Sequence, residues 1–280
     1  MQRDLSHGPR EGWNAEPRLF ALDVDGTLLR SDGSVADETL TAIQHVRSRG
    51  VEVVLVTSRG AAAVRPVATR LGMGAADVFI SAQGALTGSW AQGSRLLVQD
   101  QQPCPVTRAR AVVEAAVTAG FSVSWFAGEH WYVSHLDATI EEEIREIGVV
   151  PEVRPLLAEE RGPDKLMVIG EPDRLEVLRN LAEHLPSGLT VQVSNPNTLE
   201  ITRSGVDKAT GLARYCTRRG LPLRDVVAIG DGPNDLDMFA RVGTSIAPAN
   251  ARPEVLRAAT LLTRSNDDHG VALALLTLVP

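Results

Sequence analysis

Four short stretches of this sequence place oxygen and nitrogen groups where phosphoryl chemistry would need them. The first is Asp23-Val24-Asp25-Gly26-Thr27. A carboxylate at the end of a strand can attack phosphorus once a cation cancels the repulsion between the two anions. A second carboxyl two residues on faces the same way if the extended backbone persists. It can protonate the leaving oxygen and then deprotonate a water. Gly26 permits a sharp turn behind the pair. The same residues also suit two turn-forming aspartates after a strand, and taken alone the motif leaves both readings open.

The second stretch, Gly230-Asp231-Gly232-Pro233-Asn234-Asp235, supplies oxygen ligands. Asp231 suits magnesium, which keeps several waters and takes few protein carboxylates. Asp235 can hold a metal-bound water or orient a neighbour. Pro233 and the acids also fit the first turn of a helix, and both readings hold together. A calcium loop fails, because positions six and twelve from Asp231 are Leu236 and Val242, where Gly and Glu are required. The third stretch is Thr57-Ser58, a hydroxyl pair with backbone N–H groups at a helix start, suited to seat a phosphate. The fourth is Lys208, which also opens a helix and whose ammonium could offset charge on both phosphate and Asp23. Singly, Thr57 and Ser58 read as a helix cap and Lys208 as a solvated surface lysine.

The elements that must position these groups follow from the hydrophobic pattern. Leu19-Phe20-Ala21-Leu22 is a short apolar run that stops at Asp23, which predicts a buried strand. A helical pattern from Asp37 through Leu40, Ile43 and Val46 ends at Gly50. Residues 51–56 form a second buried strand ending at Thr57. A helix over 61–71 and a strand over 77–80 follow. Beyond Gln83-Gly84 the pattern changes to strand pairs with helices, and a hairpin turn is expected at Gly128-Glu129. The α/β pattern resumes with a helix over 208–219 and a strand over 226–229 that stops at Gly230. The expected fold is α/β: a doubly wound, Rossmann-like parallel sheet with an inserted α+β unit. The expected division is a disordered tail over 1–17, a core over 18–83 and 190–280, and an insertion over 84–189. In such sheets ligands sit at the carboxyl ends of the strands, where Asp23, Asp25, Thr57, Ser58 and Asp231 all fall.

Bulk properties narrow the partners. The chain has 280 residues, 44% hydrophobic and 22% charged, with a net charge of −7. That acidic balance argues against nucleic acid or an anionic membrane as the partner. Two distant cysteines, Cys104 and Cys216, make no disulfide framework. No secretory signal follows Met1 and no apolar run is long enough to span a bilayer, so a cytoplasmic location is the default expectation. Phe121, Trp125, Phe126, Trp131 and Tyr132 are five of the chain's eleven aromatic residues. On alternating strands one set should pack inside the insertion and the other face the site.

Together, the order and spacing of the four stretches resemble the haloacid dehalogenase-like phosphatase superfamily, over essentially the whole chain from Arg18. Leu199-Glu200-Ile201, Asn250-Ala251, Ser265-Asn266-Asp267-Asp268 and Gly270-Val271 are similar to its Cof-type, class IIB branch, and the insertion fits that branch's cap. Two positions depart from the branch's usual pattern: Thr57-Ser58-Arg59 where Thr-Gly-Arg is usual, and Gln83-Gly84 where Asn-Gly is usual. Both bear on substrate choice more than on reaction type. The resemblance implies Asp23 as nucleophile, forming an aspartyl-phosphate, and Asp25 as general acid and base. It implies magnesium held by the Asp23 carboxylate, the Asp25 backbone carbonyl and Asp231, with Asp235 in support. Thr57, Ser58, Lys208 and Asn234 would bind the transferred group. The expected substrate is a small phosphorylated metabolite of the sugar phosphate class. A phosphomutase, or a regulator that binds sugar phosphates without turnover, are the alternatives. The sequence leaves the oligomeric state open.

Overall fold

The computed structural model describes residues 3–5, 17–91, 95–192 and 197–280. Its first half runs β1 (Arg3–Asp4), β2 (Leu19–Leu22), α1 (Asp37–Ser48), β3 (Glu52–Val56), α2 (Ala61–Arg70), β4 (Phe79–Ser81), β5 (Leu86–Trp90) and β6 (Leu96–Gln101). There follow α3 (Val106–Thr118), β7 (Val123–Ala127), β8 (His130–Val133), α4 (Ala138–Ile147), β9 (Glu152–Val153), β10 (Lys165–Ile169), α5 (Leu175–Glu183), β11 (Leu189–Gln192) and β12 (Thr198–Arg203). The chain closes with α6 (Lys208–Arg219), β13 (Val226–Ile229), α7 (Leu236–Phe239), β14 (Thr244–Pro248), α8 (Pro253–Ala258), β15 (Leu261–Thr263) and α9 (Gly270–Leu278).

Nine strands form the core sheet in the order β1-β15-β14-β13-β2-β3-β4-β5-β6. Pairing is parallel from β1 to β4, and β5 and β6 add antiparallel strands at one edge. The four residues of β2 are buried without exception because helices cover both faces. Phe20 and Leu22 pack with α1, α2 and α9 on one side. Leu19 and Ala21 pack with α6, α7 and α8 on the other. The period-two alternation of a strand thus feeds two separate cores.

Six strands form a second sheet, the cap, in the order β11-β12-β10-β7-β8-β9. Its outer face, with Trp125, Leu166, Val168 and Ile201, packs on α3 and α5. Its inner face carries Phe126, Trp131, Val133 and Met167 against Ile140 of α4. The aromatic cluster therefore divides as its alternation required. Trp125 and Tyr132 belong to the outer core, while Phe126 stacks on Trp131 and faces the core sheet.

Sheet membership corrects the expected boundaries. The hairpin β5–β6, assigned from sequence to the insertion, extends the core sheet beyond β4. Strands β11 and β12, whose residues 190–203 were assigned to the core, lie in the cap sheet. The chain therefore changes sheets after Gln101 and again after Arg203. Periodicity predicts that a segment is a strand, but not which sheet supplies its hydrogen-bond partners. Within the segment read as a tail, Arg3–Asp4 pair in parallel with Leu261 and Leu262, and Leu5 is buried. The remainder of that segment, residues 1–2 and 6–16, lies outside the described residues. Among the described residues, no helix is long and apolar enough to cross a membrane.

Asp164 joins the two sheets where the chain crosses between them. It accepts from the Gln101 amide at 2.8 Å, at the end of β6, and from the Gly128 N–H at 2.7 Å, in the β7–β8 turn. Burial pushes its carboxyl up to about 6, against the help of those two hydrogen bonds. A raised folded pKa means the folded state binds the proton more tightly. The associated stability is fully present below the unfolded pKa and is lost as pH rises through about 6. The size of this effect is roughly 3 kcal/mol. Asp164→Asn can keep both hydrogen bonds once the Gln101 amide turns over. The variant is expected to lose stability less steeply than the parent between pH 4 and 6, as urea denaturation across that range would measure.

Candidate active site

The site is built on the carboxyl ends of β2 and β13, which are neighbours in the core sheet. The Asp23 N–H donates to the Ile229 carbonyl at 2.9 Å, continuing that pairing one residue past β2. The chain then turns through residues 24–28, closed by the Leu29 N–H on the Val24 carbonyl at 2.9 Å. Gly26 takes φ +73°, and a Cβ there would lie 2.5 Å from Asp231 Oδ2. Glycine is thus required both by the turn and by the close approach of the second carboxylate. Asp23 and Asp25 both line a cavity of about 780 Å³ between core and cap. Asp23 is buried, whereas the Asp25 carboxylate is half exposed at the mouth.

Lys208 opens α6. Asp207 caps the helix, accepting from the Thr210 N–H at 2.6 Å while the Thr210 hydroxyl accepts from the Asp207 N–H. The helix start abuts the loop after β4, where a Cβ on Gly84 would lie 2.1 Å from the Asp207 carbonyl oxygen. Gly84, at φ +93°, lets the helix come that close and delivers its first side chain inward. Lys208 is fully buried, and its Nζ donates to Asp23 Oδ1 at 2.7 Å and Asp235 Oδ1 at 2.8 Å. The expectation of a charge-offsetting lysine beside Asp23 matches this geometry, and a solvated surface lysine does not. Burial alone would favour loss of the lysine's proton, but Asp23 and Asp235 outweigh it and hold the pKa above its ordinary value.

Asp231 and Asp235 follow β13. The Asp231 carboxylate accepts from the Thr27 hydroxyl at 3.0 Å. Asp235 is wholly buried; its second oxygen accepts from the Gly232 N–H at 3.0 Å. Among the described residues, Asp23, Asp231 and Asp235 place ligand oxygens within 4.8 Å of one another. Burial raises the pKa of Asp23 well above the usual range; Lys208 opposes the rise, and Asp235 and Asp231 add to it. Burial likewise raises Asp231, with repulsion from Asp235 next. Three carboxylates thus share one buried ammonium, and a hard divalent cation is the partner such an oxygen set lacks. The donor set therefore fits the implied magnesium, with Asp23 and Asp231 able to hold it and Asp235 behind them.

The other expected residues separate into two groups. Ser58 and Asn234 line the cavity. Thr57 and Asp235 do not; Thr57 is buried with its hydroxyl accepting from the Arg59 N–H at 3.1 Å. Asp25, expected to offer a metal its backbone carbonyl, gives its carboxylate to Arg59. The guanidinium grips it with Nη2 at 2.6 Å from Oδ1 and Nε at 2.9 Å from Oδ2. The bidentate fork at the cavity mouth gives that carboxylate the cationic partner it needs.

Arg59 and the cap residues Glu143, Lys165, Met167 and Glu200, which also line the cavity, were not read as site residues from sequence, whereas Phe126 belongs to the aromatic set expected to face the site in part. Arg59 carried the signal of standing beside Thr57-Ser58. Lys165 opens an apolar strand run and Glu200 interrupts one, the pattern of a charge that must find a buried partner. They find each other, with Lys165 Nζ 2.5 Å from Glu200 Oε1. Burial raises the Glu143 carboxyl pKa, partly opposed by Lys165 and reinforced by Glu146, Glu200 and Asp25.

Residues 20–275 match the family model of the haloacid dehalogenase-like hydrolases. The chain belongs to that family, among the phosphatases of its Cof-type, subclass IIB branch. YxeH of Bacillus subtilis (strain 168) is 29% identical over 275 residues, covering 94% of this chain and 98% of the relative. The 5-amino-6-(5-phospho-D-ribitylamino)uracil phosphatase YcsE of the same organism is 26% identical over 258 residues, covering 92% and 94%. A haloacid dehalogenase-like hydrolase from Bacteroides thetaiotaomicron superposes with a TM-score of 0.81 at 25% identity, covering 93% of this chain and 98% of that one.

Lys208→Met keeps the length of the side chain and removes its charge. Asp23 and Asp235 are then buried without a cation, at an expected cost of about 3–5 kcal/mol at pH 7. Because the folded state raises the Asp23 pKa, protonation relieves the penalty as pH falls. Urea denaturation of parent and variant should therefore show a smaller gap at pH 5 than at pH 7.

Proposed function

We propose that this phosphatase hydrolyses a small phosphomonoester through an aspartyl-phosphate on Asp23, in a magnesium-dependent reaction. The observation that carries this reading is the Asp23 carboxylate, fixed by Lys208 at the end of the central strand and opening on the cavity beside Asp25 and Asp231. Asp23, the Asp25 backbone carbonyl and Asp231 would hold magnesium, which when bound cancels the repulsion between the attacking carboxylate and the phosphoryl oxygens. Lys208 sets the orientation of the nucleophile and adds positive charge beside the transferred group. Ser58 and Asn234, on the cavity wall, bind that group, and the buried Thr57 hydroxyl steadies the Ser58 loop through the Arg59 N–H.

Asp23 attacks phosphorus and the bond to the leaving oxygen breaks. Asp25 gives that oxygen a proton and is left as carboxylate. In the second half Asp25 takes a proton from water, whose oxygen attacks phosphorus, releasing phosphate and the free Asp23 carboxylate. Arg59 holds Asp25 at the mouth, where the leaving group must sit.

The leaving group is best read as polyhydroxylated, a sugar or sugar alcohol. The cap wall carries Glu143 and the paired Lys165 and Glu200. Carboxylates accept from hydroxyls. The ribityl phosphate named for YcsE is of that class.

Phosphate release from an aryl phosphate tests the chemistry. Asp23→Asn is expected to lower kcat by roughly 10⁴-fold or more. Excess chelator should abolish turnover. Asp25→Asn should lose roughly 10²–10⁴-fold. An aryl oxide leaves without a proton, so that variant should release about one aryl alcohol per enzyme in a burst and then stall. Unchanged rates in chelator, or full activity in Asp23→Asn, would sink the proposal. A burst-free Asp25→Asn reaction would remove Asp25 from the second half.

A further inference from the structure

Gln83 has an unusual backbone. It follows Ala82 in the loop between β4 and β5, and both take left-handed conformations, at φ +57° and +51°. Two successive non-glycine residues in that region are strained. The loop is held there by its main chain, with the Ala82 N–H on the Arg59 carbonyl at 2.8 Å and the Gln83 N–H on the Thr57 carbonyl at 3.2 Å. Strain held this firmly marks a side chain that must point one way.

The Gln83 side chain is fully buried between core and cap. Its carboxamide oxygen accepts from Asn234 Nδ2 at 3.3 Å, and its amide donates to Glu200 Oε2 on β12 of the cap. The other oxygen of Glu200 accepts from Lys165, whose Nζ also donates to the Ser58 carbonyl at 2.8 Å. A line of hydrogen bonds therefore runs from Asn234 in the core, through Gln83, to the cap's buried ion pair, and back to the core at Ser58. Both ends, Asn234 and Ser58, line the cavity.

We propose that Gln83 is a positioning residue that couples seating of the cap to the orientation of Asn234 at the phosphoryl site. The cap cannot dock Glu200 without engaging the Gln83 amide, and that engagement presents the carboxamide oxygen to Asn234. Asparagine would tolerate the left-handed backbone better, but its carboxamide is one methylene short of the span.

The proposal rests on the phosphatase reading, which turnover of an aryl phosphate by the unaltered protein tests separately. Gln83→Asn relieves the backbone and breaks the relay. Its urea midpoint should fall, because Glu200 loses a buried hydrogen bond, while kcat falls about tenfold or more and KM changes less than about twofold, as for a contact made in the closed complex. In an Asn234→Ala background the same substitution should lower kcat by less than about twofold, because its effect passes through Asn234. An unchanged kcat, a change carried by KM alone, or a full loss repeated in the Asn234→Ala background would each overturn the proposal.

Discussion

The structure turns on one buried ammonium. Lys208 lies between Asp23 and Asp235, and each neighbouring element is placed to make that contact. Strands β2 and β13 run side by side so that their carboxyl ends present Asp23 and the loop of Asp231 and Asp235 together. Helix α6 presses its first turn against Gly84, which puts the lysine inside rather than on the surface. Burying charge is unfavourable unless it is paired, so none of these groups is tolerated without the others. One ammonium does not balance three carboxylates, and the residual negative charge is what gives the pocket its appetite for a divalent cation.

The cap supplies what the core lacks. Its outer face is an ordinary apolar core with α3 and α5. Its inner face mixes Phe126 and Met167 with the Lys165–Glu200 pair, and together with the core sheet it encloses the cavity. An ion pair with side chains under 5% exposed gains little unless its remaining hydrogen bonds are met. Here they are met by core atoms, the Ser58 carbonyl and the Gln83 amide. The seam between the sheets therefore forms part of the cavity wall.

Much of this was legible in the chain. Apolar runs ending at Asp23, Thr57 and Gly230 gave the buried parallel strands, because strands covered on both faces must be apolar throughout. The order of Asp23, Asp25, Thr57, Lys208 and Asp231 pointed to where the polar groups gather, because they fall at strand ends and helix starts where an α/β sheet collects its ligands. The aromatic alternation gave two faces of the cap. Less legible were the edges of the cap. Residues 86–101 and 189–203 have ordinary strand patterns, and the choice of sheet depends on partners distant in sequence.

By itself, then, the sequence determined which residues carry charge, which segments are strands and helices, and which strand ends are polar, since these follow from local periodicity and residue type. Tertiary structure alone decided the pairings. It turned Asp25 to Arg59, set Asp235 behind Lys208 rather than on the cavity, withdrew Thr57 from the cavity wall, and joined Gln83 to Asn234 and Glu200. Those contacts link positions from 27 to 151 residues apart, or turn on which of several nearby partners a side chain meets. Their energies depend on distance and burial in three dimensions, and neither is encoded by the neighbours along the chain.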